Sequence, residues 1–423
     1  LAGHTHHYFY ENRKGQNYYV LGTTGGGSNL RGNYFGEFDH ITWVTMTDAG
    51  PSLANLRLDG ILPHDIANNE TELLAGVLAN NASFNYVMLC NRGDKFTDGT
   101  LYFYFQNTGE KPMTINLQFY HQHQLIIPEP LRKVSLFPDG KSIVKIPFCS
   151  SAPVAYNEAE AIQIDWQMEY DIPEYPNFQL SGRYNLEVAP TKTSFITPQI
   201  PKFIKNLNVS AVHPYNNLIT VFEYNHKNVS DADVIEGNKI KINESGDVSI
   251  KLINDEGQST SLESRYFEKI TKLRKALKVK NPKEGLKYSY YEGTWDKLPD
   301  FNKLKEHSSG VAKDFWVSDY ALREDQFGMV FSGYILVQED GLYIFNSRSD
   351  DACRLFIHDE PVVNQDKVKE DFKDIGAIAL KKGFHPVTIY FMEITGRERL
   401  RLYFKKTYDN VWEQLEIKNR FYH

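Results

Sequence analysis

The chain has 423 residues and only three cysteines, Cys90, Cys149 and Cys353, far apart and with no Cys-X-X-Cys among them. The paired-cysteine signature is therefore missing, and each cysteine, lying in or beside an apolar run, reads as a buried free thiol. No excess of basic residues occurs: the formal net charge is −7, which gives no broad positive field and speaks against a nucleic-acid partner. No apolar run is long enough to cross a bilayer, so no membrane span is expected. A secretory leader is not seen ahead of Leu1, but a fragment would have lost one, so this absence says nothing about secretion.

What is present is length, apolar content and aromatic rings. At 423 residues, two to four domains are expected. The 41% hydrophobic content suffices for packed cores, and 26 Tyr with 26 Phe favour strands, because flat rings pack well on pleated faces. From Phe84 to Val188 the pattern is β throughout. Leu101–Phe105 reads as a strand, and Ile115, Leu117 and Phe119 alternate, as do Ile162, Ile164, Trp166 and Met168. Asn107–Pro112 is a turn cluster, and Asp98-Gly99 and Asp139-Gly140 read as hairpin-type turns. The stretch 67–190 is thus expected to form an Ig-like β-sandwich. It is preceded by a segment, Ala67–Asn81, whose Leu73, Leu74, Val77 and Leu78 have helical spacing and which is either a short helix or a connection. His121 and His123 share one strand face; they could chelate a metal, although a merely polar face is preferred, since no third ligand is near in sequence.

Residues 191–270 read as a smaller β module, with Ile240 and Ile242, then Val248, Ile250 and Leu252, alternating around Ser245-Gly246-Asp247. With a late strand carrying Asp255–Ser259, this layout is similar to the small β-sandwich appended to chitobiase and hexosaminidase enzymes. Thr271–Lys280 carries five lysines or arginines and no acid, and reads as a solvated linker.

The chain begins with Gly3-His4-Thr5-His6-His7, two imidazoles one residue apart behind a glycine. The motif resembles the closing Gly-His-X-His signature of the calcineurin-like metallophosphoesterases. Tyr18–Ser28, a strand with a glycine-rich turn, followed by Ile41–Gly50 and Ala54–Ile61, resembles the end of that domain, over residues 1–66. The resemblance implies two divalent metals of the manganese, iron or zinc class, with His4 holding one and His6 the other. It also implies His7 and His40 at the phosphate of a phosphoester substrate. In that family the Asp-X-His, Gly-Asp-X-X-Asp and Gly-Asn-His-Asp/Glu motifs come earlier, and this chain contains none of them. It therefore looks like the C-terminal part of a longer hydrolase and as given is expected to lack catalysis. The bland alternative is a pair of ordinary polar residues in a loop.

Residues 279–423 carry an ordered series: Gly285–Phe301, Phe331–Ile335, Gly341–Phe345, Ser349–Ile357 and Gly383–Phe391. Together these resemble a PA14 domain, a β-barrel-like sandwich found beside glycosidase and adhesin domains. In lectin-type members an Asp-Asp pair binds calcium and a sugar together, so the resemblance implies calcium at Asp350 and Asp351. The Asn supplied by a later loop in those lectins is absent from Phe391–Gly396, which leaves a structural turn as the other reading of the pair. Trp295, Trp316 and Tyr320 could stack on sugar rings or simply pack. The expected fold class is mainly β: a truncated phosphoesterase sheet remnant, one or two β-sandwich modules and a C-terminal PA14-like β-barrel or sandwich. Three functions stand side by side: part of a phosphoesterase, a glycan-binding module, or a β scaffold. The resemblances imply a secreted, periplasmic or cell-surface setting.

Overall fold

The computed structural model describes residues 6–22, 27–91, 93–120, 124–192, 196–230, 233–236, 238–365, 375–407 and 411–423. Two compact units emerge: Leu1–Thr193 with Tyr215–Ile219 and Lys251–Leu262, and Ser194–Pro214 with Thr220–Ile250 and Glu263–His423. The protein is mainly β, as its alternating patterns require.

The first unit opens with a hairpin, Phe9–Arg13 against Gln16–Val20, and a three-stranded meander, Ile41–Thr47, Gly50–Arg57 and Gly60–Pro63. A small core of Tyr8, Tyr19, Phe38, Leu53 and Ala67 holds this part together. Gly36 is required where it stands: its φ is +67°, and a Cβ there would lie 2.0 Å from the carbonyl oxygen of Tyr8. The helix Asn69–Ala82 follows, capped by Asn68, whose side chain accepts from the amides of Glu70 and Thr71. Its Leu74, Val77 and Leu78 are buried, whereas Leu73 is exposed, pointing away from the buried stripe.

Two four-stranded sheets then face each other. One runs Leu131–Leu136, Met113–Tyr120, Ile162–Tyr170, Phe178–Leu186; the other runs Asn85–Cys90, Lys95–Gln106, Lys141–Ala155, Leu125–Ile126. Phe103, Ile115, Phe119, Ile146, Phe148, Ile164 and Met168 fill the space between them. Asp98-Gly99 is not a hairpin turn but lies inside the long strand Lys95–Gln106. Gly99 is there for packing: a Cβ would come within 2.3 Å of the Phe148 ring. Asp139, at φ 57°, does form a turn, but one that passes from one sheet to the other. Asp255–Ser259 is likewise a turn and not part of a strand. Asn254 Oδ1 accepts from the amide of Gln258, and Gly257 takes φ +79°. Cys90 and Cys353 are buried and Cys149 half-buried, all three as free thiols.

In the second unit a small core of Ile196, Phe203, Val209, Phe222, Ile240, Ile242, Val248, Ile250 and Phe267 lies between short sheets. The basic segment Thr271–Lys280 is mostly exposed but is not free. Arg274 donates its amide to Ala379 and Leu277 donates its amide to Phe384. The C-terminal fold pairs Ser308–Ala312, Leu286–Glu292, Phe327–Val337, Gly383–Glu393, Ala352–Ile357 and Glu360–Gln365 in one sheet, in that order, with Phe421–Tyr422 added to Phe327–Val337. The facing sheet contains Ile375–Leu380, Gly341–Asp350, Arg399–Lys406 and Glu413–Gln414. Tyr290, Phe331, Phe345, Leu355, Ile389, Phe391, Leu402 and Phe404 form the core between them.

Candidate functional site

Strand register gathers an acidic group at one end of the six-strand path. Glu393, the last residue of Gly383–Glu393, sits opposite Phe327, and Met392 sits opposite Ala352. The chain entering Phe327–Val337 and the chain leaving Glu393 are tied together. Gln326 donates its amide to Ile394, and Gly396 donates its amide to Asp325 Oδ1 at 3.1 Å. Asp351 is fixed from two sides: its amide donates to the Met392 carbonyl, and its Oδ2 accepts from the Ile394 amide at 2.6 Å. The Asp350–Asp351 peptide is cis.

The alternation that buries Ile389 and Phe391 carries on to Glu393, which is 1% exposed. Neither of its carboxylate oxygens has a hydrogen-bond partner among the described residues. Burial pushes this carboxyl up to about 8, and the charges of Asp351, Asp350, Glu398 and Asp325 add to the rise. A buried carboxyl facing other carboxylates, with no donor to satisfy it, has the chemistry of a site suited to a hard cation, which takes six to eight oxygens. Among the described residues no three His, Cys, Asp or Glu side chains already stand in metal-binding geometry.

The three candidate aromatic residues are distributed unevenly. Trp295 lies at the acidic end, since Gly293 donates its amide to Gln326 and the Trp295 ring packs in a cluster with Phe301, Ala352 and Met392. Its centroid lies 6.2 Å from that of Phe301, and the ring is partly buried. Tyr320 is locked: its hydroxyl donates to Asp314 and accepts from the amide of Lys313, and its ring leans on Tyr288. Trp316 is 67% exposed. It follows Ala312, which pairs with Leu286 at the strand end away from Glu292, so register does not bring it to the acidic group.

At the N-terminal end His4 lies outside the described residues, as do His121 and His123. His6 is exposed and takes φ 59°. His40 Nδ1 donates at 2.9 Å to the Phe38 carbonyl, and its ring stands edge-on to Tyr8. A Cβ on Gly22 would lie 3.3 Å from the His40 ring and 3.8 Å from the backbone of His7. His64, which the sequence reading left aside, is placed between Tyr10 and Tyr19, and the Tyr19 hydroxyl is 3.3 Å from its Nδ1. Tyr8 donates to the His64 carbonyl, and burial holds the Tyr8 phenol up at about 12.

Glu393, Asp325 and Glu398 were not foreseen. The signal for Glu393 was there, as an acid at a core-facing position of an alternating strand.

The C-terminal fold is a β-sandwich with an acidic group at one end of its larger sheet. Residues 282–409 match the family model described as the PA14 domain. Among solved structures the chain is similar to the PA14 domain of the MpAFP antifreeze protein, at 16% identity over 35% of this chain and 96% of that one, with a TM-score of 0.29. It is also similar to the PA14 sugar-binding domain of an RTX adhesin, at 15% identity over 33% and 98%, with a TM-score of 0.28. A third is the epithelial adhesin 9 A domain from Candida glabrata, solved with Galb1-4GlcNAc, at 14% identity over 35% and 92%, with a TM-score of 0.29. Comparison with curated proteins gives no match.

Proposed function

We propose that residues 282–409 are a glycan-binding module supported by a divalent cation, and that the chain serves to hold its protein at a glycan surface. The supporting observation is the buried, unpartnered Glu393 beside Asp350 and Asp351. Asp350, Asp351 and Glu393 would hold calcium, which supplies a positive centre for sugar hydroxyls. The setting that suits this role is secreted, periplasmic or cell-surface. The test is a glycan array read with calcium and with chelator, on the full chain and on Asp350→Asn/Asp351→Asn. Binding that needs calcium and both carboxylates is expected. Binding indifferent to calcium and to the double substitution would refute the reading.

A second reading concerns residues 1–66, as the closing part of a calcineurin-like metallophosphoesterase domain. It is favoured by the open face of the meander, where Ile41 is 70%, Trp43 60% and Ile61 71% exposed. In register, Ile41, Leu56 and Ile61 form one row of that face and Trp43, Ala54 and Pro63 the next. In this reading the phosphoester substrate and the two metals belong to a site that His4 and His6 help to complete.

A further inference from the structure

The sheet Leu131–Leu136, Met113–Tyr120, Ile162–Tyr170, Phe178–Leu186 has a second face that the core does not use. Ile162, Ile164 and Met168 point inward, so Gln163, Asp165, Gln167 and Glu169 point out. Strand register lines these up in rows across all four strands. One row is Leu131, Gln118, Asp165, Arg183; the next is Lys133, Asn116, Gln167, Ser181. Between the rows lies an open trough of about 880 Å³, which reaches all four strands. Three inter-strand steps make it roughly 14 Å long, the span of a short oligosaccharide.

Amide and hydroxyl side chains make up much of the trough walls. Asn116 and Gln118 each offer a carbonyl and an amine, Gln167, whose amine donates to Glu169 and Gln179, offers its carbonyl, and Ser181 offers a hydroxyl, a set that matches the mixed donor and acceptor character of sugar hydroxyls. Two of the three cations are paired, and Lys133 adds one further positive charge. Arg183 grips Asp165 with two bonds, at 2.7 and 3.0 Å, and Arg132 pairs with Glu129. Tyr120, 39% exposed, stands in the row beyond Gln118 and Asp165, opposite Gln163. A polyanion would meet little positive charge beyond Lys133, and an apolar partner would find Leu131 and the partly buried Trp166 set among amides and ion pairs. An extended peptide would add to a sheet edge, not lie across a face.

We propose that this trough is a second saccharide site, which takes a neutral glycan chain across the strands and works without a metal. It is independent of the cation site near Glu393, so the two can fail separately.

The test uses the full chain carrying Asp350→Asn/Asp351→Asn, kept in chelator so that the C-terminal site is silent. Affinity electrophoresis is run through gels holding mixed-linkage β-glucan, xylan, galactomannan or, as a polyanion, heparin. Retardation by at least one neutral polymer is expected. Asn116→Ala/Gln118→Ala/Gln167→Ala should weaken it at least tenfold, and Ser181→Arg, which fills the trough, should do the same, with circular dichroism melting unchanged in both. Three results would overturn the proposal: no retardation by any neutral polymer, retardation that both variants leave intact, or retardation by heparin alone.

Discussion

Glu393 shows how one side chain can carry an unsatisfied demand. A carboxylate buried without a donor costs several kcal/mol unless it takes a proton or meets a cation. Glu393→Gln keeps the shape and removes the charge. The substitution should raise the melting temperature of the metal-free chain at neutral pH and shrink the rise that calcium brings to the parent chain, both read by scanning fluorimetry. An unchanged calcium response would remove Glu393 from the site. A second residue-scale prediction concerns His385, which is fully buried. Its Nε2 lies 2.7 Å from the Lys381 carbonyl, which can only accept, so Nε2 carries the proton and Nδ1 accepts from His358 Nε2 at 2.9 Å. Burial lowers both imidazoles. Around His358, Arg274 lowers it further while Asp359 and Glu360 oppose the shift. A lowered imidazole contributes stability that is present above its unfolded value of about 6.5 and lost as pH falls through the folded value. The melting temperature should therefore fall as the pH is lowered below about 6.5, and His385→Gln should flatten that slope. An equal slope in the variant would assign it to other groups.

Among the elements, the helix Asn69–Ala82 was legible in part. The spacing of Leu74, Val77 and Leu78 marks its buried stripe, while Asn68 and Thr71 form a reciprocal cap that fixes where it starts. Asn68→Ala should cost about 1 kcal/mol of unfolding free energy, measured by urea titration. A loss near zero would mean that packing alone positions the first turn. The strand Lys95–Gln106 shows the opposite case. Asp-Gly is a turn signal in isolation, yet Gly99 serves the Phe148 ring from the neighbouring strand Lys141–Ala155. No local pattern can reveal a ring that arrives from some fifty residues further along the chain.

For the whole molecule, the Asp-X-His, Gly-Asp-X-X-Asp and Gly-Asn-His-Asp/Glu motifs that supply most ligands of a phosphoesterase site do not occur in the sequence. The chain by itself should accordingly not hydrolyse a generic phosphodiester such as bis-p-nitrophenyl phosphate with added manganese, followed by absorbance. Turnover that a chelator abolishes would show that the chain holds a complete site.

Sequence alone determined the β class and the PA14-like character of the C-terminal stretch, because period-two alternation and ordered motifs are properties of neighbouring residues. It also named Asp350 and Asp351. Only the tertiary structure decided that Glu393 lies buried beside them, that Trp295 packs while Trp316 stands open, and that Gln118, Asp165 and Arg183 form one row. The reason is physical: alternation decides which face a side chain takes, but its neighbours on that face come from strands distant in sequence, and pairing register alone selects them.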